Sequence, residues 1–105
     1  NKKRFSVAVG VAYGSNTELV KQLLVDIALR HEKILEFPEA VVRFADFGDS
    51  SLDFQLHFWT YDLEGIENIL SDLRFAIDAA FRENKVEIPF PQRDLWVRNN
   101  IQVGQ

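Results

Sequence analysis

The chain has 105 residues and a mass of 12.1 kDa, which suits one domain of ordinary size and excludes multi-domain architectures and large barrels. Hydrophobic residues make up 47% of the chain and aromatic residues 12%, so the composition predicts a folded core and argues against intrinsic disorder. With 16 acidic and 12 basic residues the net charge is −4, which argues against binding to the phosphate backbone of nucleic acids.

Two residue types that are absent also limit the function. The chain has no cysteine, which excludes disulfides, thiolate catalysis and zinc ribbons, and its two histidines are too few and too distant for a usual metal site. We therefore expect no metal and no cofactor. It has no methionine, so we expect a fragment of a longer protein. The apolar run from Val7 to Tyr13 is interrupted by Gly10 and is far shorter than the ~20 residues of a membrane span.

The first predicted element is a strand with one bulky face and one nearly bare face. Its bulky residues are Phe5, Val7, Val9, Val11 and Tyr13, and they alternate with Ser6, Ala8, Gly10 and Ala12. Gly14 then turns the chain, and Ser15 and Glu18 form an S-x-x-E capping box. This pattern predicts a first helix that runs to about Glu32.

A hairpin and a second helix follow. Residues 41–47 read as a strand, residues 48–50 as a tight connection, and residues 52–59 as a half-buried strand. Asp62 can cap a second helix, which should end near Asn84 because asparagine tolerates the left-handed conformation of a helix terminus. We expect a short edge strand over residues 86–88, since the prolines that follow lack a ladder donor, and a last strand over residues 95–98.

The order β-α-β-β-α-β plus a tail predicts an α+β fold, a ferredoxin-like sandwich with two helices on one face of a mostly antiparallel sheet. We expect one domain over residues 1–105, with the sandwich over residues 5–91. The bare face of the first strand leaves two interpretations. Trp59 and Tyr61 can cover it within the chain, which we favour, or it can be a docking surface for another subunit.

No motif predicts catalysis. The turn from Gly10 to Ser15 lacks the lysine and spacing of a phosphate-binding loop, and Asp46-Phe47-Gly48 lacks the other kinase signatures. Gly48-Asp49-Ser50 offers a hydroxyl without an aligned base, and we read His31 and His57 as solvated surface residues. Acylphosphatases share this architecture and use an arginine in the first strand-to-helix loop, which here, from Tyr13 to Thr17, has none.

The chain resembles the C-terminal cytoplasmic domain of bacterial small-conductance mechanosensitive channels, the MscS family, over most of residues 5–98. The stretches that carry the resemblance, in family order, are Val9-Gly-Val-Ala-Tyr-Gly-Ser15 with Thr17-Glu-Leu-Val-Lys21, Asp46-Phe-Gly-Asp-Ser-Ser-Leu52, Phe75-Ala-Ile-Asp78 with Ala80-Phe-Arg-Glu83, and Ile88-Pro-Phe-Pro-Gln-Arg-Asp94. The positions that we take as family-signature structural residues are Gly10, Tyr13, Gly14, Ser15, Asp46, Gly48, Asp49, Ser50, Pro89, Pro91, Gln92, Arg93 and Asp94.

The resemblance implies a wall domain in the cytoplasmic cage of a heptameric channel, on the cytoplasmic side of the bacterial inner membrane. Such a channel releases ions and small osmolytes under membrane tension. Residues 94–101 would be an assembly strand in which Leu95, Trp96, Val97 and Arg98 join a seven-stranded parallel barrel, although Trp96 is bulky for such a segment. We expect the isolated fragment to be a monomer or a weak oligomer. The alternative is a free-standing ferredoxin-like module that binds a ligand or regulates a partner.

Overall fold

The computed structural model describes residues 1–91, which form three strands and two helices. The elements in chain order are β1 (Lys3–Val11), α1 (Thr17–Arg30), β2 (Val41–Phe47), β3 (Leu52–Thr60) and α2 (Ile66–Glu83). The predicted α+β class, with two helices packed on an antiparallel sheet, is confirmed. The strand predicted over residues 95–98 and the wider segment 94–101 lie outside the described residues.

The sheet has the order β1-β3-β2, with β3 antiparallel to both neighbours. Val7 of β1 lies opposite Leu56 of β3, and Val42 of β2 lies opposite the same residue on the other side. The predicted hairpin of β2 and β3 is confirmed almost to the residue. A register shift between Phe44 and Asp46 bulges β2 near the end of this hairpin.

The expected edge strand over residues 86–88 is wrong, because this part of the chain makes too few ladder bonds. The amide of Ala12 donates to the carbonyl of Glu87 at 2.9 Å, but the amide of Val86 donates to Phe81 at the end of α2. Pro89 then has no amide proton to continue a ladder. Over residues 1–91 the sheet therefore has three strands, and this segment lies against the end of β1 by a single backbone hydrogen bond.

The core lies between the helices and one face of the sheet. Along β3 every second side chain is buried, from Leu52 to Thr60, which is the pattern of a central strand with one covered face. The helices contribute a stripe of buried residues, namely Val20, Leu24, Ile27 and Ala28 from α1 and Ile69, Leu73, Ile77 and Phe81 from α2. Leu23 and Leu70, which the stripe also includes, are partly buried and pack against this core.

Both helices begin later than predicted and α1 ends at Arg30, slightly before the predicted end, whereas α2 ends at Glu83 beside Asn84, as predicted. Asn16 caps α1 in place of Ser15, and its side-chain oxygen accepts from the Leu19 amide at 3.1 Å. Asp62 does not cap α2 directly, because the helix begins after Gly65, whose amide donates to the Asp62 carboxylate. After α2 the positive φ belongs to Lys85, at 58°, and Asn84 stays right-handed with its side chain donating to the Ala80 carbonyl.

Candidate functional site

Most of the signature residues meet at one end of the sheet, which we call the signature end and define as residues 10–15 and 46–51. The end of β1 and the β2–β3 turn are joined there by the Tyr13 hydroxyl, which donates to the Gly48 carbonyl. The Gly48 amide in turn donates to the Ser51 carbonyl at 2.7 Å and closes the hairpin turn. Residues 35 positions apart in sequence are thus fixed against each other.

The glycines of the signature end are required by close packing. A Cβ atom on Gly10 would lie 2.9 Å from the Ser51 hydroxyl oxygen. On Gly48 it would lie 2.7 Å from an Asp53 carboxylate oxygen and 3.0 Å from the Ser51 carbonyl. Side-chain atoms do not normally approach so closely, so a larger residue at Gly10 would push β1 away from the β2–β3 turn, and one at Gly48 would distort the turn itself.

The strand-to-helix turn is held by short-range hydrogen bonds. Gly14 adopts a φ of +93°, a conformation that favours glycine, and nothing lies within 4 Å of its missing Cβ. The Ser15 hydroxyl donates to the Ala12 carbonyl at 2.7 Å, and Asn16 caps the helix that follows. Ser15 and Asn16 therefore serve the fold of this turn.

The acidic residues of the hairpin turn are also engaged locally. The Asp46 carboxylate accepts from the Phe47 amide at 2.8 Å, and the Ser51 hydroxyl donates to Asp53 at 2.6 Å. Asp49 is exposed at the tip, and Ser50 beside it is partly buried. These are the contacts of an Asp- and Ser-rich turn.

The chain leaves the described domain close to the signature end. The bond from Ala12 to Glu87 ties the segment after α2 to the last residues of β1, and Pro89 and Pro91 follow directly. Gln92, Arg93 and Asp94, the other signature positions, lie outside the described residues, as do Leu95, Trp96, Val97 and Arg98. The part of the signature end that follows β1 therefore lies beside the segment that leads to the C-terminal residues.

We call the sheet face that points away from α1 and α2 the outer face. Trp59 and Tyr61 do not cover it in the way that we favoured from the sequence. Trp59 lies opposite Arg4, whereas Gly10 lies opposite Asp53 at the other end of the strand pair. Tyr61 follows β3 and is 63% exposed. These aromatic residues therefore do not cover Gly10, and the close approach of Ser51 explains the glycine instead.

A shallow depression of about 370 Å³ lies at the Gly10 end of the sheet. Ala8, Gly10, Asp46, Asp53 and Gln55 are among the residues that line it. Two carboxylates make this depression acidic.

His57 is not the solvated surface residue that we expected. It is half-buried in the middle of the outer face, and both ring nitrogens are covered without a hydrogen-bond partner in the described part of the chain. Burial lowers the pKa of His57 below its usual 6.5, and the positive charges of Arg4 and Arg43 lower it further. The sequence indicated only that His57 lies in a strand. The two nearby cations come from neighbouring strands, so they can be identified only once the register of the sheet is known.

His31 is also more than a surface residue, because it joins the two helices. Its Nδ1 accepts from the Lys33 amide at 3.1 Å, and its Nε2 lies 2.9 Å from an Asp72 carboxylate oxygen of α2. A nitrogen that accepts carries no proton in the neutral ring, so Nε2 holds the proton and donates to Asp72. The pair fastens the end of α1 to α2.

Over residues 1–91 no group of three or more His, Cys, Asp or Glu side chains is arranged to hold a metal ion. Neither α1 nor α2, the helices of the described region, combines the length and hydrophobicity needed to cross a membrane.

Comparison with known proteins gives consistent matches. The family model of the mechanosensitive ion channel MscS, C-terminal, matches residues 5–88. A small-conductance mechanosensitive channel of Helicobacter pylori is 36% identical over 97 residues, which cover 92% of this chain and 35% of that protein. The mechanosensitive channel MscK of Escherichia coli is 33% identical over 96 residues, which cover 91% of this chain and 9% of that protein.

The fold comparison agrees with the sequence comparison. The crystal structure of Helicobacter pylori MscS in its closed state matches with a TM-score of 0.81 and 35% sequence identity. The match covers 94% of this chain and 39% of that one. The chain thus spans about a third of the length of the Helicobacter pylori relative.

Proposed function

The chain belongs to the MscS family of mechanosensitive ion channels, and on that premise we propose that it is a wall domain of the channel's cytoplasmic cage. The complete channel would release ions and small osmolytes when membrane tension rises. The domain itself would have a structural and assembly role, on the cytoplasmic side of the bacterial inner membrane, with no catalytic activity and no cofactor. Its partners would be the membrane-embedded remainder of the same chain and six further copies.

The observation that carries this proposal is the extent of the fold match. Nearly the whole chain superimposes on part of a channel in its closed state, at 35% identity. The signature end supports a structural role, because the hydrogen bonds between Tyr13, Gly48 and Ser51 hold its loops together. A domain whose polar residues fix loops in place suits a rigid wall.

The assembly role falls on the segment after the prolines. Leu95, Trp96, Val97 and Arg98 are the positions that correspond to the barrel strand of the family, and alternation places Leu95 and Val97 on one side of such a strand. The hydrogen bond between Ala12 and Glu87 supports this role, because it holds the start of the segment that leads to residue 91 against the domain.

Native mass spectrometry of the detergent-solubilised full-length channel tests the assembly. We expect seven copies for the intact protein and a loss of heptamer when the chain is cut after Asp94. A matched variant with Phe90→Ala, which changes an exposed side chain before the cut, should stay heptameric. A soluble monomeric full-length protein would instead favour the free-standing ligand-binding or regulatory module, and a heptamer that survives the cut would contradict the role of residues 95–98.

A further inference from the structure

The outer face carries two arginines that have no ion pair within residues 1–91, and Lys2 lies near them, with its Nζ 6.0 Å from the centre of the Trp59 ring. Arg4 of β1 and Arg43 of β2 are both exposed. Within residues 1–91 the ion pairs are His31 with Asp72, Lys33 with Asp62, and Arg82 with Asp78, so neither arginine has an acidic partner there.

The nearest acid on β3 is already engaged. Asp53 lies two positions from Gln55, the residue opposite Arg43, and accepts a hydrogen bond from Ser51 at 2.6 Å. No ion pair joins it to Arg43 within the described region. Unpaired positive charge is notable here because the whole chain has a net charge of −4.

The two arginines stand on either side of His57. Arg4 lies opposite Trp59 and Arg43 opposite Gln55, and these two β3 residues flank His57 on the same sheet face. Both guanidinium charges are close enough to lower the pKa of His57, whose own ring nitrogens are covered. The centre of the outer face is therefore positive on both sides and offers no carboxylate between them.

We propose that Arg4 and Arg43 form a binding site for an oxyanion of the phosphate class, which lies over His57 on the outer face. A guanidinium group presents a planar fork of donors that matches the oxygens of phosphate. Bound phosphate would supply the negative charge that the described residues lack at this position. The acidic depression at the Gly10 end of the sheet has the opposite preference, which confines the anion to the His57 half of the face.

This site is formed by side chains of the chain itself and does not depend on the channel proposal. A channel that binds no phosphate would contradict only the phosphate site. A phosphate-binding domain outside a channel would contradict only the channel proposal. The chain can be tested alone, because residues 1–91 form a hydrophobic core of their own.

Amide NMR of the 105-residue chain, titrated with inorganic phosphate at constant pH and constant ionic strength, tests the site. We expect saturable shifts at Gln55, His57 and Trp59 with phosphate and none with potassium chloride. Arg4→Gln and Arg43→Gln should each weaken binding by about two- to fivefold, the range of an exposed ion pair. Arg82→Gln is the matched control, because Arg82 pairs with Asp78 on α2 and should leave the affinity unchanged.

Two results would overturn the proposal. One is a set of amide chemical-shift changes that do not saturate with phosphate and equal the changes seen with chloride, which would mean ionic screening only. The other is unchanged phosphate affinity in the Arg4→Gln, Arg43→Gln double variant. Both arginines are exposed, so the variants should keep the spectrum of the folded chain and remain interpretable.

Discussion

At the scale of single residues, the two glycines of the signature end are explained by what lies beside them. The hydroxyl of Ser51 and the carboxylate of Asp53 occupy the space that a Cβ atom on Gly10 or Gly48 would need. The sequence shows these glycines as part of a family motif, but the reason for Gly10 is a contact between β1 and the β2–β3 turn, and the reason for Gly48 is close packing within that hairpin. That contact follows from the register, which composition and local pattern do not specify.

The tight turn predicts that Gly48→Ala destabilises the fold. The added methyl group would lie 2.7 Å from Asp53 and 3.0 Å from the Ser51 backbone, so the turn must shift and weaken the hydrogen bond from Tyr13. We expect the free energy of unfolding to fall by ~1–3 kcal/mol in chemical denaturation. Ala8→Ser, which also adds one heavy atom but at an exposed position, should change it by less than ~0.5 kcal/mol. Equal effects of the two substitutions would refute the packing argument.

His57 predicts a specific dependence of stability on pH. Its pKa in the folded chain lies below the unfolded value of 6.5, so the unfolded chain takes up the proton first as the pH falls. The free energy of unfolding should therefore decrease as the pH drops through about 6.5, and be fully retained above that value. The His57→Gln variant should lack this part of the pH dependence. Chemical denaturation measures it between neutral pH and about pH 4, where carboxylates titrate. The same slope in both proteins would contradict the lowered pKa.

At the scale of elements, α2 packs its buried stripe against the sheet, and Leu73 is 1% exposed in its middle. Leu73→Ala should cost ~2–5 kcal/mol of unfolding free energy, through lost burial and the cavity that remains. Leu29→Ala is the matched control, because Leu29 is 65% exposed and should cost less than ~0.5 kcal/mol. A loss below ~1 kcal/mol for Leu73→Ala in urea or guanidinium denaturation would place this residue outside the core.

The elements that local pattern predicts well are those with strong periodicity. The alternation in β3 and the stripe of α2 define both elements within a few residues. The helix ends were less predictable, because several cap residues stand next to each other and the backbone decides between Ser15 and Asn16. The segment 86–88 reads as a strand by composition, yet it makes one backbone bond to β1, since strand formation depends on partners that the local sequence does not show.

Side chains that act between elements were the hardest to anticipate. His31 contacts Asp72, 41 positions away, and His57 lies between arginines from two other strands. Both look like surface residues in the linear sequence. Their roles depend on the topology, which places α1 beside α2 and β3 between β1 and β2.

At the scale of the whole molecule, residues 1–91 form a hydrophobic core of their own, so we expect that folding of the domain does not depend on the segment after Asp94. We expect the 105-residue chain to sediment as a monomer or weak oligomer, because a ring of isolated domains must offset a large loss of translational and rotational entropy at each contact. In chemical denaturation, a chain that ends at Asp94 should have the same free energy of unfolding, within ~0.5 kcal/mol. A tight heptamer that survives this deletion would place the subunit contacts on the sheet or helix faces instead.

We propose that this chain is part of a channel that opens under membrane tension. The most direct measurement is patch-clamp recording from liposomes that contain the purified full-length protein, with graded suction applied to the membrane. We expect discrete currents that appear as tension rises, vanish when suction is released, and are absent from liposomes without protein. Silent patches up to the tension at which the membrane ruptures, from protein that is correctly inserted, would contradict it.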